Sequence, residues 1–313
     1  LGRWGAVAGS ARVAARYFLI MLAGGVPLLL AFVLLAASQS VPTFDLLALL
    51  AVPLPHATQH AFLLLCLIGF GVKVPLVPLH TWLPQFALAA PGSLTALLVG
   101  LKLGAYGLIR FAIPLAPDAA QDLHWLLAGL GIVTLIYGAV GILAQSNLRV
   151  ALAYASICHV GLAVLGLAAF TAQGVQGAIS LLLSFSVATG GAFLLLEFLR
   201  QRTGSTDSLG GAAKTMPLLA SGFLICGLAG VGMPGTSSFP GEFMLILAAL
   251  QSHTGAGMAA LFGLAIAAAG FLALYRKAFF GPVTRREVAE AEDLRPREWA
   301  VLIVLIFLVG AIG

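Results

Sequence analysis

Charge is what this sequence has least of: aspartate, glutamate, lysine and arginine make up 9% of its 313 residues, against 61% hydrophobic. A soluble domain cannot hide that much apolar surface, so a water-soluble enzyme or binding module is excluded. Cysteine is scarce as well. Cys66, Cys158 and Cys226 fall inside apolar runs without CxxC spacing, which reads as small buried hydrophobes rather than a disulfide or metal site. No nucleotide-binding glycine loop, metal-ligand cluster, nucleophile with a base, or flavin motif is present. The formal charge of +5 is spread over short loops, so no basic patch for nucleic acid forms. The strict polar–apolar alternation of a membrane β-strand is missing too.

What remains is a series of apolar runs of about 20 residues, the length that crosses a bilayer core of about 30 Å. Nine spans are predicted: roughly 16–37, 59–83, 91–114, 122–145, 148–170, 174–199, 216–251, 254–280 and 297–313. The class is an all-α polytopic membrane protein. Numbering the loops alternately, one set carries Arg3, Arg12, Arg16, Arg149, Arg200, Arg202, Lys214, Arg276, Lys277, Arg285, Arg286, Arg295 and Arg297. The other set has no lysine or arginine, which makes the first set cytoplasmic, or its equivalent, by the positive-inside rule. The opening stretch is basic, lacks a signal-peptide cleavage site and does not start with methionine, so the chain is expected to be part of a longer protein.

Two spans carry helix breakers. The second holds Pro75 and Pro78 in "VKVPLVPLHTWLP", and the seventh holds Gly232, Pro234, Gly235 and Pro240 in "VGMPGTSSFPGEF". Each proline removes a backbone donor and clashes with the preceding turn, so both helices should break. Irregular backbone at that depth survives only inside protein or beside a water-filled cavity.

Ionisable residues sit in the same spans. A charge at the bilayer centre costs about 2.5–3.5 kcal/mol on insertion scales, so something must offset it. The candidates are Lys73, Lys102, His159 and Glu242, with His80 at the edge. Glu242 follows one break and Lys73 precedes the other, a pattern that matches inverted repeats in secondary transporters. Each residue alone has a structural reading: a lysine can neutralise a carboxylate, His159 can bond a backbone carbonyl, and His80 can cap the broken segment. Arg110, near a helix end, can snorkel to the interface. Together, two lysines, a histidine and a glutamate on separate helices point to a proton or ion path. Burial lowers a lysine's proton affinity and a nearby carboxylate restores it, so moving one charge can load or unload the other.

The motifs "VKVPLVPLHTWLP", "LLVGLKLGAYGLIRF", "LRVALAYASICHVGL" and "GLAGVGMPGTSSFPGEF", in this order, resemble the antiporter-like membrane subunits of proton-pumping NADH:quinone oxidoreductase, respiratory complex I. The likeness covers essentially the whole chain and is nearest to the M-type branch, called chain 4 in mitochondria. It implies an antiporter-like fold with inverted repeats and two broken helices, the nine spans being the family's sixth to fourteenth. Residues 1–121 would then close a first repeat, 122–280 form a second, and 281–313 hold a basic-side loop and the start of a last span.

The resemblance also implies that Lys73, Lys102, His159 and Glu242 relay protons, with His80, Pro75, Pro78, Pro234 and Ser184 in support. Protons would enter at Lys73 and leave from Glu242. The acid that pairs with Lys73 in the family is expected upstream of Leu1. Two departures stand out. "LLLSFSVATGG" puts Ser184 and Phe185 where many members have a histidine, and "WLPQFA" puts Gln85 where many have an acid. No cofactor is expected in this chain. Flavin, iron–sulfur clusters and quinone would belong to partner subunits, whose redox chemistry drives the charge movements. Expected partners are other membrane-arm subunits, sister antiporter-like subunits and lipids, but no nucleic acid, in a bacterial inner membrane or else a thylakoid or inner mitochondrial membrane. The alternatives are an Mrp-type cation/proton antiporter subunit, the membrane subunit of a related hydrogenase complex, or a scaffold whose buried charges only pair.

Overall fold

The computed structural model describes residues 5, 9–52, 54–207 and 209–311. Arg3 and residues 312–313 of the last predicted span lie outside them. The main helices are α1 (Ser10–Ala37), α2 (His56–Lys73), α3 (Trp82–Ala89), α4 (Gly92–Leu101), α5 (Leu103–Gly107) and α6 (His124–Leu143). They continue as α7 (Leu148–Leu167), α8 (Ala172–Thr203), α9 (Pro217–Gly230), α10 (Ser238–Ser252), α11 (Thr254–Phe279) and α12 (Pro296–Ala311). No β-strand occurs among the described residues.

Six stretches are long and apolar enough to cross a membrane: α1, the 92–115 region, α6, α7, α8 and α11. The second and seventh predicted spans are the broken ones, and the ninth is the 16-residue helix α12. Exposed Phe18, Leu22, Leu29, Leu183 and Phe262 lie on the outside, as expected of helices that face an apolar solvent.

Both expected breaks are present, and their freed backbone groups find partners. Helix α2 stops at Lys73, and residues 74–81 are non-helical before α3 begins. There the Trp82 indole donates to the Val72 carbonyl at 2.8 Å, and the Val77 N–H donates to the Thr134 hydroxyl of α6 at 3.1 Å. Between α9 and α10, residues 231–237 are non-helical, and the Ser237 N–H donates to the Val309 carbonyl of α12 at 2.9 Å. Neighbouring elements thus supply what water cannot.

A third interruption was not predicted. The 91–114 span is split at Lys102, whose backbone is left-handed (φ 46°, ψ 31°), and a π-helical turn follows at Leu108–Ala112. A side chain in that region costs about 1–3 kcal/mol, and such outliers and π-turns gather where function needs them.

Helix α7 is central, with 83% of its apolar window buried against 17% for α1. Glycine permits this. A Cβ at Gly161 would lie 2.4 Å from the Leu135 nitrogen, and one at Gly131 would lie 2.7 Å from the Leu165 nitrogen. Helices α6 and α7 therefore meet backbone to backbone, the small-residue mode of membrane helices.

Arg149 departs from its reading as a loop cation. Its side chain is 1% exposed, with Nη1 3.5 Å from Glu197 Oε2, and Nη2 donating to the Ala90 carbonyl and to Thr95 Oγ1. Glu197 also accepts from the Gly92 N–H at 2.9 Å and from Arg200 at 2.6 Å. Position in the loop pattern assigned Arg149 its side of the membrane, but the long side chain turns inward to join α4, α7 and α8.

Candidate functional site

The four candidate residues form two groups, Lys73 with Lys102 and His159 with Glu242, and Phe185 lies beside both. Lys73 and Lys102 line the same cavity of about 170 Å³, together with Tyr17, Pro75, Trp82 and Ser156. A water needs only about 10–15 Å³ of such space, and Lys73, Lys102 and Ser156 offer it polar partners in an otherwise largely apolar lining. Gly104, two residues past Lys102, brings the helices close: a Cβ there would lie 2.9 Å from Lys73 Cβ. No carboxylate pairs with Lys73 among the described residues.

At the far side of the cavity, Lys102 Nζ donates to Ser156 Oγ at 2.5 Å and lies 5.2 Å from the centre of the Phe185 ring. Ser156 precedes His159 by one turn of α7. The His159 ring stacks on Phe185, with centroids 4.1 Å apart and planes 22° apart. Phe185 therefore touches both the lysine and the histidine, and is itself 1% exposed. The left-handed turn at Lys102 is held by α8, where the Ser186 hydroxyl donates to the Gly100 carbonyl at 2.6 Å.

His159 and Glu242 form a buried pair. His159 Nδ1–H donates to the Ala155 carbonyl at 2.8 Å, because a carbonyl oxygen can only accept. The other ring nitrogen, Nε2, lies 3.1 Å from Glu242 Oε1. At that distance a proton held by either group is within hydrogen-bond reach of the other. The two readings of His159, carbonyl-bonded and proton-carrying, are satisfied by different ring nitrogens.

Glu242 is placed by the second break. Gly232 has φ 68°, and a Cβ there would lie 1.9 Å from Glu242 Oε2. Only glycine allows the backbone both that conformation and that approach.

The supporting residues are less uniform. Pro75 lines the cavity, and Pro78 lies in the first break. Pro234 is exposed within the second. His80 caps nothing with its side chain. It is buried edge-on against Tyr137, at 4.6 Å, with Nδ1 unpartnered, and makes no contact with the other relay residues. The hydroxyl of Ser184 is buried without a protein partner, as are those of Ser237 and Ser238 next to Glu242. Arg110 is exposed on the π-turn and borders an outward-facing groove that Lys102 also reaches. The cysteines are free and buried, as expected.

Sequence reasoning missed Ser156, the contact role of Phe185 and the close approach at Gly232. A signal for Ser156 existed in its three-residue spacing from His159 in "YASICHV". The sequence marked Phe185 only as a departure from the family pattern, and not as a contact, since its two partners come from other helices.

Comparisons with known proteins agree with this architecture. Residues 1–267 match the family profile described as "NADH:quinone oxidoreductase/Mrp antiporter, TM". The chain is 34% identical over 321 residues to NADH-quinone oxidoreductase subunit M of Rickettsia typhi, covering 100% of this chain and 64% of that protein. It is also 34% identical over 316 residues to NADH-ubiquinone oxidoreductase chain 4 of Marchantia polymorpha, covering 100% and 63%. The chain thus spans a little under two thirds of the curated relatives it matches. Among solved structures, a chain of respiratory complex I from Thermus thermophilus superposes with a TM-score of 0.91 at 34% identity, over 97% of this chain and 65% of that one. A chain of the Mrp complex from Dietzia sp. DQ12-45-1b, at 23% identity, shares the fold with a TM-score of 0.80 over 88% and 52%. With the family profile matching residues 1–267 of its 313, this chain belongs to the NADH:quinone oxidoreductase/Mrp antiporter membrane family.

Proposed function

We propose that this chain is the proton-translocating part of an M-type membrane-arm subunit of an NADH:quinone oxidoreductase in a bacterial inner membrane. The observation that carries the reading is the buried His159–Glu242 pair, 3.1 Å apart, placed one helical turn from the Ser156 that accepts from Lys102. A proton reaching the cavity at Lys73 can pass by water to Lys102. From there, Ser156 and ordered water around the buried serine hydroxyls lead to His159. Arrival of a proton at His159 makes Glu242 the better donor, so each step displaces the next. This chain supplies no flavin, iron–sulfur or quinone chemistry in the proposal. Sister and neighbouring subunits would bring those groups, and their charge movements would drive the relay.

A gradient-driven cation/proton antiporter subunit is the second reading, favoured by the fold shared with the Mrp chain. Membrane vesicles separate the two. Proton uptake should require NADH and quinone, and should vanish in Lys102→Ala while the complex assembles normally. Unchanged pumping in that variant, with normal assembly, overturns the relay, and uptake driven by a sodium gradient without redox substrates selects the antiporter.

A further inference from the structure

We propose that His56, His60 and Asp122 form a binding site for a divalent transition-metal ion of the zinc type, on the face opposite the basic loops. His60 Nε2 lies 3.3 Å and His56 Nδ1 3.7 Å from Asp122 Oδ2, and the three ligand atoms all fall within 4.8 Å of one another. Metal–ligand bonds of about 2.0–2.2 Å in a tetrahedron put neighbouring ligand atoms about 3.3–3.6 Å apart. The two edges to Asp122, 3.3 and 3.7 Å, lie close to that value, and rotation of the exposed His56 side chain closes the third around an ion.

The donor set is already oriented. His60 Nδ1–H donates to the His56 carbonyl at 2.9 Å, which turns Nε2 toward Asp122, where an ion would take the place of the proton that otherwise bridges the two. Metal-bound histidines ordinarily fix their free ring nitrogen in this way. The two rings, four residues apart on the first turns of α2, stack with centroids 5.3 Å apart.

Asp122 belongs to a different element, the short helix Pro117–Asp122, and that element is locked to α2 by a buried side chain. Gln59 Nε2 donates to Asp118 Oδ2 at 2.9 Å, and Gln59 Oε1 accepts from the Asp118 N–H at 3.0 Å. The carboxylate is therefore held beside the two imidazoles before any ion arrives. The ligands' side chains are 65%, 33% and 53% exposed, so solvent can deliver the ion and fill a fourth position. Two imidazoles with one carboxylate favour zinc, nickel, copper or cobalt over magnesium or calcium. The sequence reading found no metal cluster because Asp122 is 62 residues beyond His60, although the His-x3-His spacing was visible. The proposal is independent of the proton route.

The test uses the purified complex in detergent, stripped with a chelator and titrated with Co2+. The expected result is d–d absorption bands of a four-coordinate ion at one equivalent per chain, displaced by Zn2+. In the double variant His56→Ala/His60→Ala the bands and that equivalent should be lost, Asp122→Asn should weaken binding at least tenfold, and His124→Ala, an exposed histidine of the same face, should leave binding unchanged. The three ligand-site changes and the control are on exposed or half-exposed side chains, and circular dichroism checks that folding is retained. Co2+ stoichiometry in the double variant equal to that of the parent, or no bands in the parent, overturns the assignment.

Discussion

At the scale of single residues, the site works through contacts too close to tolerate substitution. Gly232→Ala places a methyl group inside the Glu242 carboxylate and a side chain at φ 68°, so it should displace Glu242 and destabilise the second break by about 1–3 kcal/mol. Vesicle pumping and a thermal melt of the complex read both effects. His159→Gln is a cleaner probe. Glutamine can still donate to one oxygen and keep the helix packed, but it cannot take up a proton, so pumping should fall to background while assembly and melting temperature stay near those of the parent. Pumping retained in that variant would move the relay off His159. The four residues of the proposed relay were legible in the sequence because a charge inside an apolar run costs several kcal/mol and is seldom accidental. Ser156 and Phe185 were not, because a serine or phenylalanine in a membrane helix costs nothing that demands explanation.

At the scale of elements, breaks and close crossings decide where those residues go. The proline-containing breaks were predicted from local chemistry, since a missing N–H and a steric clash act on the preceding turn whatever surrounds it. The kink at Lys102 was hidden: "LLVGLKLGAYG" has no proline, and the left-handed turn is imposed by packing, with Ser186 on α8 bonding the carbonyl just before it and α2 pressed against Gly104 just after. The α6–α7 crossing carries His159 into the centre. Gly161→Leu should force these helices apart, because its Cβ alone would sit 2.4 Å from a backbone nitrogen of α6. The expected outcome is loss of the assembled subunit from membranes, read by immunoblot, with Gly129→Ala, at an open position of α6, as the tolerated control.

At the scale of the whole molecule, orientation and one buried ion network hold the arrangement. Arg149 is enclosed with Glu197, so Glu197→Ala leaves a buried cation without its counter-charge and should cost about 3–5 kcal/mol. Replacing both by apolar residues of similar volume should recover much of that loss, and a melting series distinguishes the two. Orientation has its own check. A cysteine introduced at Glu290 should react with a membrane-impermeant maleimide only from the cytoplasmic side, and one at Asp122 only from the opposite side. The reverse pattern would overturn the assignment from loop charge.

The sequence by itself determined the membrane class and the two proline breaks and set the expected direction of the spans, because hydropathy, loop charge and backbone chemistry act locally or along one axis. It also named the ionisable residues worth explaining. Only the tertiary structure decided which of them meet: Lys73 with Lys102 across one cavity, Lys102 with Ser156, His159 with Glu242, Arg149 with Glu197, and His56 and His60 with Asp122. The physical reason is that a contact between side chains on separate helices depends on crossing points and rotations, which are set by how small residues pack. An apolar helix advertises its length in its sequence, but not which neighbour each face will touch.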